Sequence, residues 1–183
     1  NRTEILLVET GGDALQLTFV NEVSNDKDQK KASAFLRDRS SWYHFVVAVD
    51  LTQSTNSDKV KMYINGTLQT TLAADNTFAN VDSFINATGV HRIGRIAYSG
   101  SNFFDGYLAE THFIDGTQLT ADSFGETKQD VWIAKNYSGS YGTNGFKLKY
   151  DQTGTGTGSS STGGADSSGN NHHFTSSGFG AED

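Results

Sequence analysis

Three stretches decide the fold: WYHFVVAVD at residues 42–50, VKMYINGTL at residues 60–68 and FDGYLAE at residues 104–110. The first is rich in β-branched and aromatic residues and predicts a central strand that is covered on both faces. In the second, apolar residues recur at every second position up to Asn65-Gly66, a pair that favours the positive φ angles of a two-residue hairpin turn. The third predicts another strand, at residues 106–114, in which Glu110 is the single acid. Together they predict an all-β jelly-roll sandwich of antiparallel strands.

The remaining segments add strands and turns to this frame. Residues 4–10 and 14–20 predict a hairpin, because apolar side chains share one face of each segment. The polar, charged residues 21–31 are interpreted as a connection. We expect further strands near residues 32–37, 90–98, 106–114, 131–134 and 145–150, and a single helical turn at residues 120–125.

Length and composition bound the domain organisation. A chain of 183 residues is long enough for one sandwich domain, which we place at residues 1–150. Residues 151–169 are nearly pure Gly, Ser and Thr, too polar to bury anything, and predict a flexible loop or linker. Residues 170–183 are then a terminal strand and the start of a following segment. Because the chain opens at Asn1 without Met, we interpret it as part of a longer or processed polypeptide.

Charge and composition exclude several classes of function. The net charge is −7, and acidic residues interrupt the one basic cluster, so a nucleic-acid interface with its clustered Lys and Arg is not predicted. No apolar run reaches 18 residues, so we predict no membrane insertion. Cysteine is absent, which leaves the cellular compartment open because a core of this size needs no disulfides.

An ordered series of motifs extends through the second half of the chain. It consists of FDGYLAETHFIDG at 104–116, SFGE at 123–126, VWIAKNY at 131–137 and SYGTNGF at 140–146. This series resembles the concanavalin A-like (laminin G-like) modules of tailed-phage virion proteins, in particular tail-fibre or particle-surface proteins. Such modules usually begin with an extra strand, and they commonly carry Pro where this chain has Ser41 and Ala134.

The resemblance implies a structural role in the virion. Adhesion, decoration and subunit packing are the expected tasks, with other virion subunits as partners, a homo-oligomer as the assembly and a host surface glycan as a further ligand. The alternative is an extracellular carbohydrate-binding module of a secreted bacterial surface protein or polysaccharide-degrading enzyme. The fold alone does not decide between them, because one scaffold carries many functions.

Glycan hydrolysis on such a scaffold needs two carboxylates that flank the scissile bond. The predicted strand offers Glu110, and the next acid is Asp115. Five residues of separation put these two side chains on opposite faces of a strand. We therefore predict that the protein is not an enzyme and that Glu110 is a structural hydrogen-bonding residue.

Sugar binding would use exposed aromatic rings together with amide and carboxylate groups. Two loops offer this chemistry, and their candidate ligand-binding residues are Tyr98, Asn102 and Phe103 on one loop and Tyr137, Tyr141 and Asn144 on the other. The alternative is that these rings pin Gly-rich turns to the sandwich edge. Trp42 and Trp132 each begin an apolar strand and are expected in the core.

No metal site or cofactor is predicted. The adjacent His172 and His173 would point to opposite faces of a strand, so they would not chelate one ion together. Calcium stays an open alternative, because loop carboxylates at strand ends are its usual ligands. The carboxylates in such positions are Asp50, Asp105 and Asp115.

Overall fold

The computed structural model describes residues 1–9, 15–24, 26–80, 83–96 and 102–177. These residues form eleven strands, and every sheet is antiparallel, so the predicted all-β class is confirmed. Helical structure in the described ranges is limited to one turn, α1 (Asn56–Lys59), and one 3₁₀ turn (Ala121–Ser123). By its internal contacts the chain divides into two units: unit 1 holds residues up to 103 and residues 118–137, and unit 2 holds residues 104–117 and those from 138 onward.

Unit 1 contains two larger sheets and a hairpin. The four-stranded sheet has the order β1-β2-β3-β7, formed by β1 (Arg2–Glu9), β2 (Leu15–Val23), β3 (Asp26–Ala32) and β7 (Leu72–Asp75). The three-stranded sheet consists of β4 (Phe45–Val49), β5 (Val60–Ile64) and β6 (Thr67–Leu68), with β5 in the centre. The hairpin joins β9 (Gly125–Lys128) to β10 (Val131–Ala134).

The core of unit 1 lies between its two larger sheets. Leu17 and Phe19 from β2 pack with Val60 and Met62 from β5, and the Phe78 ring closes the cluster, with its centroid 5.6 Å from that of Phe19. Alternate residues of each strand reach this cluster, because side chains of a strand point to opposite faces of the sheet. Burial of these apolar side chains is the main stabilising term of the unit.

The β5–β6 turn follows the prediction from Asn65-Gly66. Asn65 has φ 47° and Gly66 has φ 78°, so both central residues are left-handed. The Asn65 side-chain carbonyl accepts a hydrogen bond from the His44 backbone N–H at 2.8 Å, which fixes the turn to β4. Trp132 lies across the turn: a Cβ placed on Gly66 would be 2.3 Å from the indole ring.

Unit 2 is built on a two-stranded ladder. β8 (Thr111–Phe113) pairs with β11 (Phe146–Leu148), and the register sets His112 opposite Lys147. The Phe113 and Phe146 rings lie 5.5 Å apart on one face, and Phe174 packs edge-on against Phe146 at 4.8 Å.

Several predictions of individual strands are wrong. The charged residues 21–31 are not a connection: they complete β2 and form most of β3, where Lys30 is buried and Asp26 and Lys27 are exposed. In the described ranges β4 pairs only with β5, so it lies at a sheet edge rather than in the centre. Of the expected strand at residues 106–114 only β8 forms, and residues 90–96 contribute one bridge, between Arg95 and Phe103.

The Gly/Ser/Thr-rich segment also differs from its prediction. The domain boundaries at residues 150 and 169 stay a prediction, but the expectation that residues 151–169 bury nothing is wrong, because Thr162 and Asp166 are buried. Glycine makes this packing feasible: a Cβ on Gly164 would lie 2.2 Å from the backbone carbonyl oxygen of Phe174. The segment therefore packs by close approach of backbone to backbone, a mode that needs no apolar side chains.

Candidate functional site

Trp42 is the functional candidate that the sequence reasoning missed. The prediction of a core position is wrong, because 65 % of its surface is exposed. The reason is that β4 begins only at Phe45, so Trp42 precedes the sheet and is not enclosed by it. No ring or guanidinium of the described residues stacks on the Trp42 indole. Trp132, by contrast, is half-buried, and its indole N–H donates to His44 Nδ1 at 3.0 Å.

The turn before Trp42 holds an ordered carboxylate. Asp38 Oδ1 accepts hydrogen bonds from the Ser40 backbone N–H at 2.9 Å and from the Ser40 hydroxyl at 2.6 Å, and Oδ2 accepts one from the Ser41 hydroxyl. The hydrogen bonds from Ser40 and Ser41 lower the pKa of Asp38 from 3.8 to about 2. An ionised, fixed hydrogen-bond acceptor therefore lies on the surface within a few residues of an exposed indole.

The first predicted ligand-binding loop lies partly outside the described residues. Tyr98 is among the residues that the structure does not describe. Asn102 and Phe103 are in unit 1, and the Phe103 ring is 66 % exposed. The Arg95 guanidinium lies 5.6 Å from the centroid of the Phe103 ring, a cation–π contact that engages one ring face.

The residues of the second predicted loop are divided between the two units. Tyr137 belongs to unit 1, where its half-buried ring packs on Phe124 at 5.1 Å, an anchoring contact. Tyr141 and Asn144 belong to unit 2 and meet at Asp115. The Asp115 backbone N–H donates to the Tyr141 carbonyl at 3.0 Å, and Asp115 Oδ2 accepts from the Asn144 backbone N–H at 3.0 Å.

Glu110 in unit 2 is held by two buried donors. Its Oε1 lies 3.3 Å from Lys147 Nζ, and its Oε2 lies 3.1 Å from His112 Nε2. Partial burial raises the pKa of Glu110, but the His112 hydrogen bond and the Lys147 charge outweigh it, so the pKa lies below its ordinary value. A general acid in glycoside hydrolysis needs a raised pKa. Glu110 is therefore unsuited to protonate a leaving group at neutral pH.

The calcium candidates are divided between the two units. Asp50 is in unit 1, whereas Asp105 and Asp115 are in unit 2. Hydrogen bonds from Thr52 and Gln53 occupy the Asp50 carboxylate and lower its pKa, with the Thr52 hydroxyl at 2.6 Å as the largest cause. Within the described ranges, no three His, Cys, Asp or Glu side chains are grouped so that they could hold a metal ion.

Comparison with known proteins gives one match. The family model described as "Concanavalin A-like lectin/glucanases superfamily" matches residues 1–123, about two thirds of the chain, and this span includes the Asp38–Trp42 turn and Glu110. No curated protein and no solved structure matches the chain. In the part of the chain that the structure describes, no helix is long and apolar enough to cross a membrane.

Proposed function

The chain belongs to the concanavalin A-like lectin/glucanase superfamily, and from this premise we propose that it is a non-enzymatic carbohydrate-binding module of a phage virion surface or tail-fibre protein. Its task is adhesion to a surface glycan, and the sugar binds on Trp42. The observation that carries the proposal is the exposure of this indole, which is 65 % accessible although it begins the most apolar stretch of the chain.

The chemistry around Trp42 suits a pyranose ring. The C–H groups on one face of a sugar pack on an aromatic ring, and its hydroxyls need fixed hydrogen-bond acceptors at the edge. Asp38 supplies such an acceptor, because Ser40 and Ser41 hold it ionised. Phe103 is equally exposed, at 66 %, but Arg95 engages its ring. Trp42 is therefore the better platform.

The state of Glu110 supports a non-enzymatic role. The carboxylate is paired with Lys147 and His112, and its pKa is lowered rather than raised. The next acid along the chain, Asp115, is five residues away and accepts a hydrogen bond from the loop at Asn144. This pair offers no combination of a proton donor and a free nucleophile.

The virion assignment rests on the order of the motifs between residues 104 and 146, which resembles tail-fibre and particle-surface modules. A homo-oligomer is part of the proposal. Among the described residues β1 pairs only with β2, so it is an edge strand of its sheet. Ile5 on this strand is 51 % exposed. Edge strands are normally covered or paired, and we propose a second copy of the chain as the partner at β1.

A glycan microarray tests the binding proposal. We expect the wild-type protein to retain one or more neutral glycans and the Trp42→Ala variant to lose them. Phe103→Ala is the matched control, because it removes an aromatic ring of the same exposure from the same unit. Binding that survives Trp42→Ala but disappears in Phe103→Ala would move the site to the Asn102–Phe103 loop. Absence of any retained glycan would contradict the proposed function.

A further inference from the structure

Unit 2 has a polar sheet face that the Trp42 site does not use. His112 on β8 and Lys147 on β11 are directly paired, so their side chains share one face of the ladder. The opposite face is apolar, with Phe113 opposite Phe146. The side chains of Lys147 and His112 are only 8 % and 14 % exposed. Two buried nitrogen donors are therefore arranged next to one carboxylate, that of Glu110.

Glu110 is the exposed member of this group. Its side chain is 43 % accessible, while the groups that hold it are buried. Each carboxylate oxygen has about two acceptor positions, and the known contacts use one on each: Lys147 at 3.3 Å and His112 at 3.1 Å. Both oxygens therefore keep acceptor capacity, and the carboxylate is fixed in place before any ligand arrives.

Tyr141 fixes the orientation of His112. A carboxylate accepts hydrogen bonds but does not donate them, so His112 Nε2 carries the proton in its contact with Glu110. His112 Nδ1 then accepts from the Tyr141 hydroxyl at 2.8 Å, and the two rings stack at 6.0 Å with an interplanar angle of 12°. Burial lowers the pKa of His112, which keeps the imidazole neutral near pH 7. Tyr141 is thus a positioning residue that acts on Glu110 through His112.

We propose that the Glu110 carboxylate is a second ligand-binding site, which accepts hydrogen bonds from two adjacent hydroxyls of a neutral sugar. Two parallel O–H···O contacts match the two oxygens of a carboxylate, and hydrogen bonds to a charged acceptor are about twice as strong as neutral ones. An acidic sugar is disfavoured, because its carboxylate would face that of Glu110 on a protein of net charge −7. Glu110 belongs to unit 2, whereas Trp42 belongs to unit 1.

Backbone ¹H–¹⁵N NMR titration tests the site, because it locates each binding event along the chain. The probes are the methyl glycosides of mannose, galactose and N-acetylglucosamine, with glucuronic acid as the anionic comparison. We expect the neutral glycosides to shift the amide signals of residues 110–113, and glucuronic acid to leave them unchanged. Trp42→Ala should not alter these shifts.

Two variants address the mechanism. Glu110→Gln keeps the shape of the side chain but removes its charge, and we expect it to weaken binding at these amides by about tenfold or more. Glu126→Gln is the matched control, because Glu126, like Glu110, is paired with a lysine: its Oε1 lies 2.8 Å from Lys128 Nζ. This variant should leave binding unchanged. Tyr141→Phe removes the hydroxyl that donates to His112 Nδ1 and should change the ¹⁵N shifts of the His112 ring. It should also weaken binding, though less than Glu110→Gln, whereas a purely structural tyrosine would leave binding unchanged.

The outcomes separate this site from the Trp42 site. Shifts at residues 110–113 that depend on Glu110 and persist in Trp42→Ala support the inference, whatever happens at Trp42. Shifts confined to the Trp42 indole and the Asp38 turn would overturn the inference and leave the proposed function intact. Shifts at residues 110–113 that are unaffected by Glu110→Gln, or that appear equally with glucuronic acid, would show that Glu110 is only a structural residue. No shift anywhere would overturn both proposals.

Discussion

The Trp132 side chain packs against a turn whose backbone shape is determined by its own residues, Asn65 and Gly66. The Asn65-Gly66 pair predicts the turn because both positions need positive φ, which Asn and Gly tolerate. The contact of the Trp132 indole with Gly66 joins residues 66 positions apart, and no local pattern contains it. The same indole lies against Gly125, where a Cβ would be 2.3 Å away. A predicted core tryptophan thus packs on two glycines rather than among apolar side chains.

Substitution of Gly66 should therefore lower the free energy of unfolding by more than the strain of its backbone angle alone. Gly66→Ala imposes about 1–2 kcal/mol of left-handed strain, and displacement of the indole adds about 1–3 kcal/mol. In a Trp132→Ala background only the strain remains, so the cost of Gly66→Ala should fall. Urea unfolding of both single variants and the double variant measures this coupling. Equal costs in the two backgrounds would show that the indole does not pack on the turn.

His112 gives the stability of unit 2 a defined pH dependence. Burial lowers its pKa below the ordinary value of 6.5, so the unfolded chain takes up this proton at a higher pH than the folded chain. The free energy of unfolding therefore falls as the pH drops from neutral through 6.5 towards the folded pKa. We expect the stability difference between wild type and His112→Gln to shrink between neutral pH and about pH 5.5 in thermal unfolding. A difference that grows over this range would contradict the burial of His112.

At the scale of elements, the Asp166 turn organises the Gly-rich segment. Asp166 Oδ1 accepts from the backbone N–H groups of Lys147 and Ser168, both at 2.8 Å, and Oδ2 accepts from that of His172 at 2.9 Å. Burial raises the pKa of Asp166, but these backbone donors together outweigh it and lower the pKa. The carboxylate thus joins β11 to the turn at Ser168 and to the segment that begins at His172.

Asp166→Asn should destabilise the protein by about 2–3 kcal/mol, because the amide group that replaces one oxygen faces N–H donors and leaves at least one of them unpaired. Asp151→Asn is the control, since Asp151 is exposed and its side chain contacts only the neighbouring Gln152 amide, at 3.3 Å, among the described residues. Chemical denaturation followed by circular dichroism measures both variants. If Asp166→Asn lowers the free energy of unfolding by no more than Asp151→Asn does, the Asp166 turn does not stabilise unit 2.

Elements with local signals were predictable, and those set by tertiary contacts were not. The β1–β2 hairpin, β5, β10 and β11 follow alternation and turn residues that the sequence displays. The charged strand β3 was missed because its pairing with β2 and β7 offsets its weak intrinsic preference for a strand. Trp42 was misplaced because an apolar run does not reveal where its strand begins. The Glu110–His112–Lys147 group needs the β8–β11 pairing, which joins residues 35 apart.

In the whole molecule, the position of β1 at the edge of its sheet predicts self-association. We expect the mass in solution to be a multiple of the 19.8 kDa chain mass. Ile5→Lys should reduce it to the mass of one chain, because lysine on an edge strand disfavours further strand pairing. Val90→Lys, at a position that is 76 % exposed outside any strand, is the control and should leave the assembly unchanged. A wild-type protein that sedimented as a monomer would contradict the oligomer.

The proposed function requires that the protein binds a glycan through Trp42 and does not cleave it. The most direct measurement is chromatography of a retained glycan on immobilised protein, with mass spectrometry of the eluted sugar after prolonged incubation. We expect wild-type protein to retard the glycan, Trp42→Ala not to retard it, and the eluted sugar to keep its full length. Shortened products that disappear with Glu110→Gln would contradict the account, and so would equal retention by wild type and Trp42→Ala.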